Sequence, residues 1–203
     1  MRDPVPVNLT FSIFNFQFLI LNPLVSSSVW YILRTFNCQE LKLSQFLTEN
    51  GCPHFIPMMY AEKPDRQGRA HRVLLPVVHN LLFLEKDRSE RSLLHTLSEC
   101  PFPWYIPRKE GSSALYEIPD KEMEEFRALC DPNFDDSHFM SQEDAEAKPG
   151  KMVRIVHGPF AGMTGKLHRV RNKFYFIKTL AGFGVMIRIS RWYCKVLDSE
   201  TSL

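Results

Sequence analysis

The sequence predicts an α+β chain of two units, a mainly antiparallel sheet with helices packed on it followed by a small β-barrel. Three observations carry that expectation. Between residues 30 and 130, β-branched and aromatic runs alternate with segments of helical period. An acidic, aliphatic-poor stretch, DPNFDDSHFMSQEDAEAKPG, then interrupts the pattern. Beyond it, apolar and basic residues alternate around a dense glycine corner in KPGKMVRIVHGPFAGMTGKLHRV. The expected organisation is a disordered leader or upstream extension at 1–28, a sheet-and-helix domain at 29–130, an acidic linker at 131–147, a β domain at 148–198 and a tail at 199–203.

The leader is apolar, but Asn15, Gln17, Asn22 and Pro23 break its core and Arg2 is offset by Asp3. It therefore reads as an extension rather than a secretory signal, and it is too short and interrupted for a membrane span. WYILRT (30–35) is aromatic and β-branched, a buried strand. Asn37 offers an N-cap and Glu40, three residues on, completes a capping box. The helix so opened carries Leu43, Phe46 and Leu47 on one face and stops at Asn50-Gly51, with the glycine at the left-handed position. HFIPMMY (54–60) reads as a strand and KPDRQG (63–68) as a polar turn. HRVLLPVVHNLLFLEK (71–86) returns from it, bending at Pro76. Residues 87–99 are helical, with Leu93, Leu94 and Leu97 on one face, and PFPWYIPR is held extended by its prolines. Asp120 caps a last helix whose Met123, Phe126 and Leu129 belong to the core. In the second unit MVRIV, KFYFIK (173–178) and VMIRIS alternate as strands, giving a barrel of about five short strands.

Composition limits the chemistry. The chain has 203 residues, 44% hydrophobic and 24% charged, as soluble domains have, and its net charge of +2 points to no class of partner. Five cysteines without a C-x-x-C pair speak against a disulfide framework or a zinc ribbon and fit reduced thiols in a cytoplasm. No nucleophile elbow, P-loop or H-E-x-x-H motif occurs, and the seven histidines lack metal-ligand spacing. The expectation is a protein that is not an enzyme and needs no metal or cofactor. A cysteine hydrolase built on Cys38 or Cys100 with a distant histidine is the enzymatic alternative.

VRIVHGPFAGMTGKLHRV resembles the KOW motif, in which Gly158, Pro159, Phe160, Gly162 and Gly165 form the corner between two strands. Glycine there permits positive φ and close backbone approach. WYILRTFNCQELKLSQFL, NLLFLEK and LYEIPDKEMEEF resemble the opening strand and helix, the central strand and the last helix of the NusG N-terminal (NGN) domain. The resemblance spans 30–197 and is strongest to the specialised RfaH-like paralogues, above all the UpxY-type antiterminators of surface-polysaccharide operons. It implies an NGN domain followed by an SH3-like KOW barrel in a monomeric, cytoplasmic bacterial protein. Such a factor binds RNA polymerase at the β′ clamp helices and suppresses pausing and termination. A general NusG-type elongation factor and a KOW-containing RNA- or ribosome-binding protein are the alternatives.

Site residues follow from the same resemblance. Val78, His79, Asn80 and Leu81 match the family's aromatic clamp-contact strand, with aliphatics in place of the aromatics; plain sheet core is the other reading of Val78 and Leu81. Asn37, Gln39 and Lys42 match the positions with which the specialised paralogues read the non-template DNA strand, and a solvated helix face is the other reading of all three, above all of Lys42. Cys38 stands where the family commonly has glycine. Arg66, Arg69, His71 and Arg72 either face upstream DNA or keep a hairpin soluble. Leu180, Ala181, Gly182 and Phe183 match the loop by which general NusG contacts Rho or a small-subunit ribosomal protein. Loss of its arginine speaks against Rho. The β-prone strands imply a barrel that does not refold into helices, as the RfaH barrel does.

Overall fold

Among the described residues the strands form two antiparallel sheets and a separate hairpin. The computed structural model describes residues 28–65, 67–133 and 137–197. The leader expectation, apart from Ser28, and the tail fall outside them. The elements are β1 (Val29–Thr35), α1 (Glu40–Glu49), β2 (His54–Phe55), β3 (Met58–Pro64), β4 (Ala70–Pro76), β5 (Leu81–Glu85), α2 (Glu90–Ser98), β6 (Trp104–Tyr105), β7 (Glu117–Pro119) and α3 (Asp120–Leu129). After these come β8 (Ser137–Ser141), α4 (Gln142–Ala147), β9 (Lys151–Ile155), β10 (Thr164–Val170), β11 (Lys173–Leu180), β12 (Phe183–Ile189), a 3₁₀ turn at Arg191–Tyr193 and β13 (Cys194–Val196). Mixed sheet and helix bear out the α+β expectation.

In the first sheet β1 lies centrally, paired with β5 on one side and with β6 and β7 on the other. Both faces of β1 and β5 are buried, because successive side chains point to opposite sides. Tyr31, Leu33, Leu82 and Leu84 share a core with Leu43 and Leu47 of α1 and Leu93 and Leu97 of α2. Trp30, Ile32, Leu81 and Phe83 share the opposite core with Met123, Phe126 and Leu129 of α3. All three α3 residues expected in the core are fully buried. Trp30 Nε1 donates to Asp120 Oδ1 at 2.8 Å and ties β1 to the start of α3. Gly51 has φ +63, the left-handed stop expected of α1.

Three expectations are corrected. Asn37 does not cap α1: Asn37 and Cys38 both have φ of 54°, the N-cap is Gln39, and no side chain caps the helix. The strand expected over 54–60 is divided, because Pro57 lies between β2, which pairs β5, and β3, which pairs only β4. The acidic stretch is not a free linker. Its β8 pairs β12 across Phe183↔Ser141 to Ile187↔Ser137, and Ser141 caps α4 by accepting from Asp144 N at 3.0 Å. Ala145 of α4 is fully buried, and a Cβ on Gly184 would lie 2.7 Å from its methyl group. An acidic surface therefore covers an apolar contact built from small residues.

The second sheet has six strands in the order β13-β9-β10-β11-β12-β8, and its edges β13 and β8 are not paired with each other. Phe183, at the start of β12, packs on the first sheet with its ring centroid 5.2 Å from that of Phe126 and 6.3 Å from that of Phe83. Lys178 Nζ meets Glu125 Oε2 of α3 at 2.7 Å, with both side chains largely buried. Arg34 donates through Nη2 to Ala181 O at 3.3 Å. One apolar core thus runs from β1 through α3 into the second sheet.

Candidate functional site

Two turns meet at the end of β1. Residues 36–39 lead into α1 and residues 77–80 lead from β4 into β5. Asn80, with φ +61, supplies both sides of the join: its carbonyl accepts from Thr35 N at 3.2 Å and its side-chain Oδ1 accepts from Cys38 N at 2.8 Å. Glu40 is 2% exposed, and both its oxygens are used, Oε1 accepting from His79 Nδ1 at 3.0 Å and Oε2 from Asn80 N at 3.2 Å. Burial pushes this carboxyl up, but the His79 hydrogen bond and the backbone N–H groups outweigh it and hold it below the usual carboxylate range. Cys38, Glu40 and His79 place donor atoms within 4.8 Å of one another, a grouping invisible in the sequence spacing. Glu40 already spends both oxygens on the opposite turn, which accounts for the grouping as a turn-to-turn tie.

Around this join lies a surface that sequence reasoning missed. Phe36 and Tyr105 are 46% and 48% exposed, with ring centroids 5.9 Å apart. Lys42 is exposed and its Nζ stands 5.9 Å from the Phe102 ring centroid. Asn37 is exposed, whereas Gln39 is half-buried, with its Oε1 buried and without a hydrogen-bond partner among the described residues. The aromatic pair is formed by β1 meeting β6 in the register Arg34↔Tyr105, which no local pattern announces. Exposed rings beside amide and ammonium groups can stack bases and hold phosphate.

Residues 28–127 match the family model of the transcription termination factor NusG. That region is similar to NusG. The match covers the whole first sheet with α1, α2 and most of α3, and it points to a transcription factor in general. No curated protein matches the chain.

Within the matched region Val78, His79 and Asn80 sit on a turn, not on a strand. Leu81 opens β5 and is fully buried, so the core reading holds for it in this arrangement, while Val78 is half-buried and packs against the same core. His79 is exposed. Arg69 and Arg72 lie on or beside the separate β3–β4 hairpin: Arg69 Nε pairs Asp65 Oδ2 at 3.0 Å, and Arg72 stacks 4.3 Å from the Tyr60 ring centroid. Arg66 lies outside the described residues.

The glycine corner joins β9 to β10. Gly158 and Gly162 have φ of +86 and +96, and Gly162 N donates to Ile155 O at 2.7 Å. Gly165 is needed for a different reason: a Cβ there would lie 2.5 Å from Ile177 O and 2.6 Å from the Phe176 ring. Pro159 is exposed and Phe160 packs half-buried against the core. In the β11–β12 turn, Leu180 and Phe183 are buried and Ala181 is half-buried, with Phe183 packed on Phe83 and Phe126 of the first unit. Among the described residues no helix is long and apolar enough to cross a membrane.

Proposed function

We propose that the chain is a bacterial transcription elongation and antitermination factor, a monomer of the cytoplasm that acts on RNA polymerase and suppresses pausing without covalent chemistry. The observation that carries this is the NusG match over the unit that presents the Phe36–Tyr105 surface. Lys42 neutralises a phosphate of the displaced non-template strand, Asn37 contacts a base edge, and the two rings stack bases. The β′ clamp helices dock on the sheet face that carries Leu81 and Phe83, with Val78 at its margin. Phe183 now covers that face, so docking requires the second unit to leave it. That unit is a KOW domain, and its freed loop Leu180–Phe183 is available to a ribosomal protein. The likeness to the UpxY-type paralogues supports specificity for a surface-polysaccharide operon.

The test is elongation in vitro through a polysaccharide-operon leader and a scrambled leader. Wild-type protein should suppress pausing on the first more than on the second. The Phe36→Ala, Tyr105→Ala double variant should lose about 1–3 kcal/mol of binding per unstacked base while retaining affinity for a clamp-helix fragment. Equal action on both leaders would leave a general elongation factor. Failure of wild type to bind polymerase would refute the reading altogether.

A further inference from the structure

The near-neutral chain hides a strongly basic unit. Residues 148–197 contain eleven Lys and Arg and no Asp or Glu, so all 23 acidic residues lie elsewhere. Among the described residues only one of the eleven, Lys178, is paired with a carboxylate, and that carboxylate belongs to α3. Three of the others, Lys173, Arg188 and Arg191, line an open groove between the β11–β12 ladder and the 3₁₀ turn together with Phe174 and Trp192. Trp192 is 88% exposed, the most exposed of the large apolar side chains among the described residues, and it stands on the groove wall with no ring or hydrogen-bond partner among them. A bare indole at that exposure costs solvation and buys nothing for the fold. Arg169 lies 5.4 Å from the Phe174 ring centroid and extends the cationic, aromatic surface behind it.

We propose that this groove binds a single strand of nucleic acid, with a base stacked on Trp192 and the backbone phosphates held by Lys173, Arg188 and Arg191. An unpaired strand is the ligand that needs both halves of the site. Phosphates account for the absence of acidic residues, and a splayed base accounts for an exposed ring that a duplex would leave unused. The groove sits at the Phe174↔Ile189 end of the ladder, while the contact with the first unit is at the Leu180↔Phe183 end. Six residue pairs along a strand separate them by about 20 Å. The groove therefore stays open while Phe183 is docked, and its use does not depend on polymerase binding or on the Phe36–Tyr105 surface.

The experiment titrates the full-length chain with fluorescein-labelled twelve-nucleotide oligo-U RNA, oligo-dT DNA and a duplex of equal length, by anisotropy at 50 and 200 mM salt. At least one single strand should bind tighter than the duplex, and the two single-strand arms tell RNA from DNA. Trp192→Ala should weaken that binding about tenfold with an unchanged salt slope, since stacking releases no counterion. Arg188→Gln should lower the log–log salt slope by about 0.7, one phosphate contact on a single strand. Melting temperatures report folding of each variant, and both side chains are exposed. The Phe36→Ala, Tyr105→Ala protein should keep the Trp192-dependent part of the binding, which separates this site from the one on the first unit. Binding unaltered by Trp192→Ala, or equal affinity for the duplex or for polyglutamate, would overturn the proposal and leave a diffuse cationic surface.

Discussion

At the scale of single residues, the glycine corner shows how one residue type answers two different demands. Gly158 and Gly162 hold backbone angles that side chains tolerate poorly, whereas Gly165 has ordinary angles and is fixed by what presses on it. The two causes predict different costs. Gly162→Ala meets nothing within 4 Å and is penalised only through its φ, by about 1–2 kcal/mol. Gly165→Ala drives a methyl group into the Ile177 carbonyl and the Phe176 ring, and backbone cannot swing aside as a flexible side chain does. Its cost should be about 3 kcal/mol or more. Thermal melts of the two variants check this: Gly165→Ala should melt several degrees below Gly162→Ala, and the reverse order would show that φ, not packing, governs the corner. The sequence announced these glycines as a set but not which reason applies to which, because close approach depends on β11, which pairs with β10 only in three dimensions.

At the scale of elements, what was legible is what is local. The faces of α1, α2 and α3 follow from apolar spacing, and Leu43, Leu47, Leu93, Leu97, Met123, Phe126 and Leu129 are all buried. What was not legible depends on partners far along the chain. Asn37 and Glu40 read as a capping box, yet Glu40 turns to His79 and Asn80, about forty residues on. The stretch 131–147 reads as linker because composition counts its acids, while its order comes from pairing to β12 and from Ala145 seated over Gly184. Phe36 and Tyr105 were overlooked because their pairing depends on β6 reaching β1. The acidic stretch yields a direct expectation. Backbone amides of 138–141 that bond to β12 should resist hydrogen exchange together with the interior strands of the second sheet, at protection factors on the order of a hundredfold or more above a free linker. Exchange at the rate of an unstructured peptide across this stretch would restore the linker reading.

At the scale of the whole molecule, the two units cover each other's candidate surfaces. Phe183 occupies the face of the first sheet that carries Leu81 and Phe83, and in the same turn Leu180 is buried and Ala181 half-buried. Such an arrangement reduces the apparent affinity of an incoming partner by the fraction of molecules that are open. The Lys178–Glu125 pair is the charged latch of this contact: at 2.7 Å, with side chains 14% and 15% exposed, it is neither a surface pair nor fully desolvated. Its loss should cost the closed state about 1–3 kcal/mol, between the exposed and buried limits. Lys178→Glu sets two carboxylates against each other and should raise affinity for a clamp-helix fragment roughly tenfold by opening the molecule. On the proposed function the units separate without either unfolding, so small-angle scattering should show a larger radius of gyration with far-ultraviolet dichroism retained. Adding Glu125→Lys to that variant recreates the pair with its charges exchanged and should return both radius and affinity toward wild type. A single variant that binds no better than wild type, or a double variant that stays open, would show that the aromatic contact of Phe183 with Phe83 and Phe126 holds the closed state without help from the ion pair.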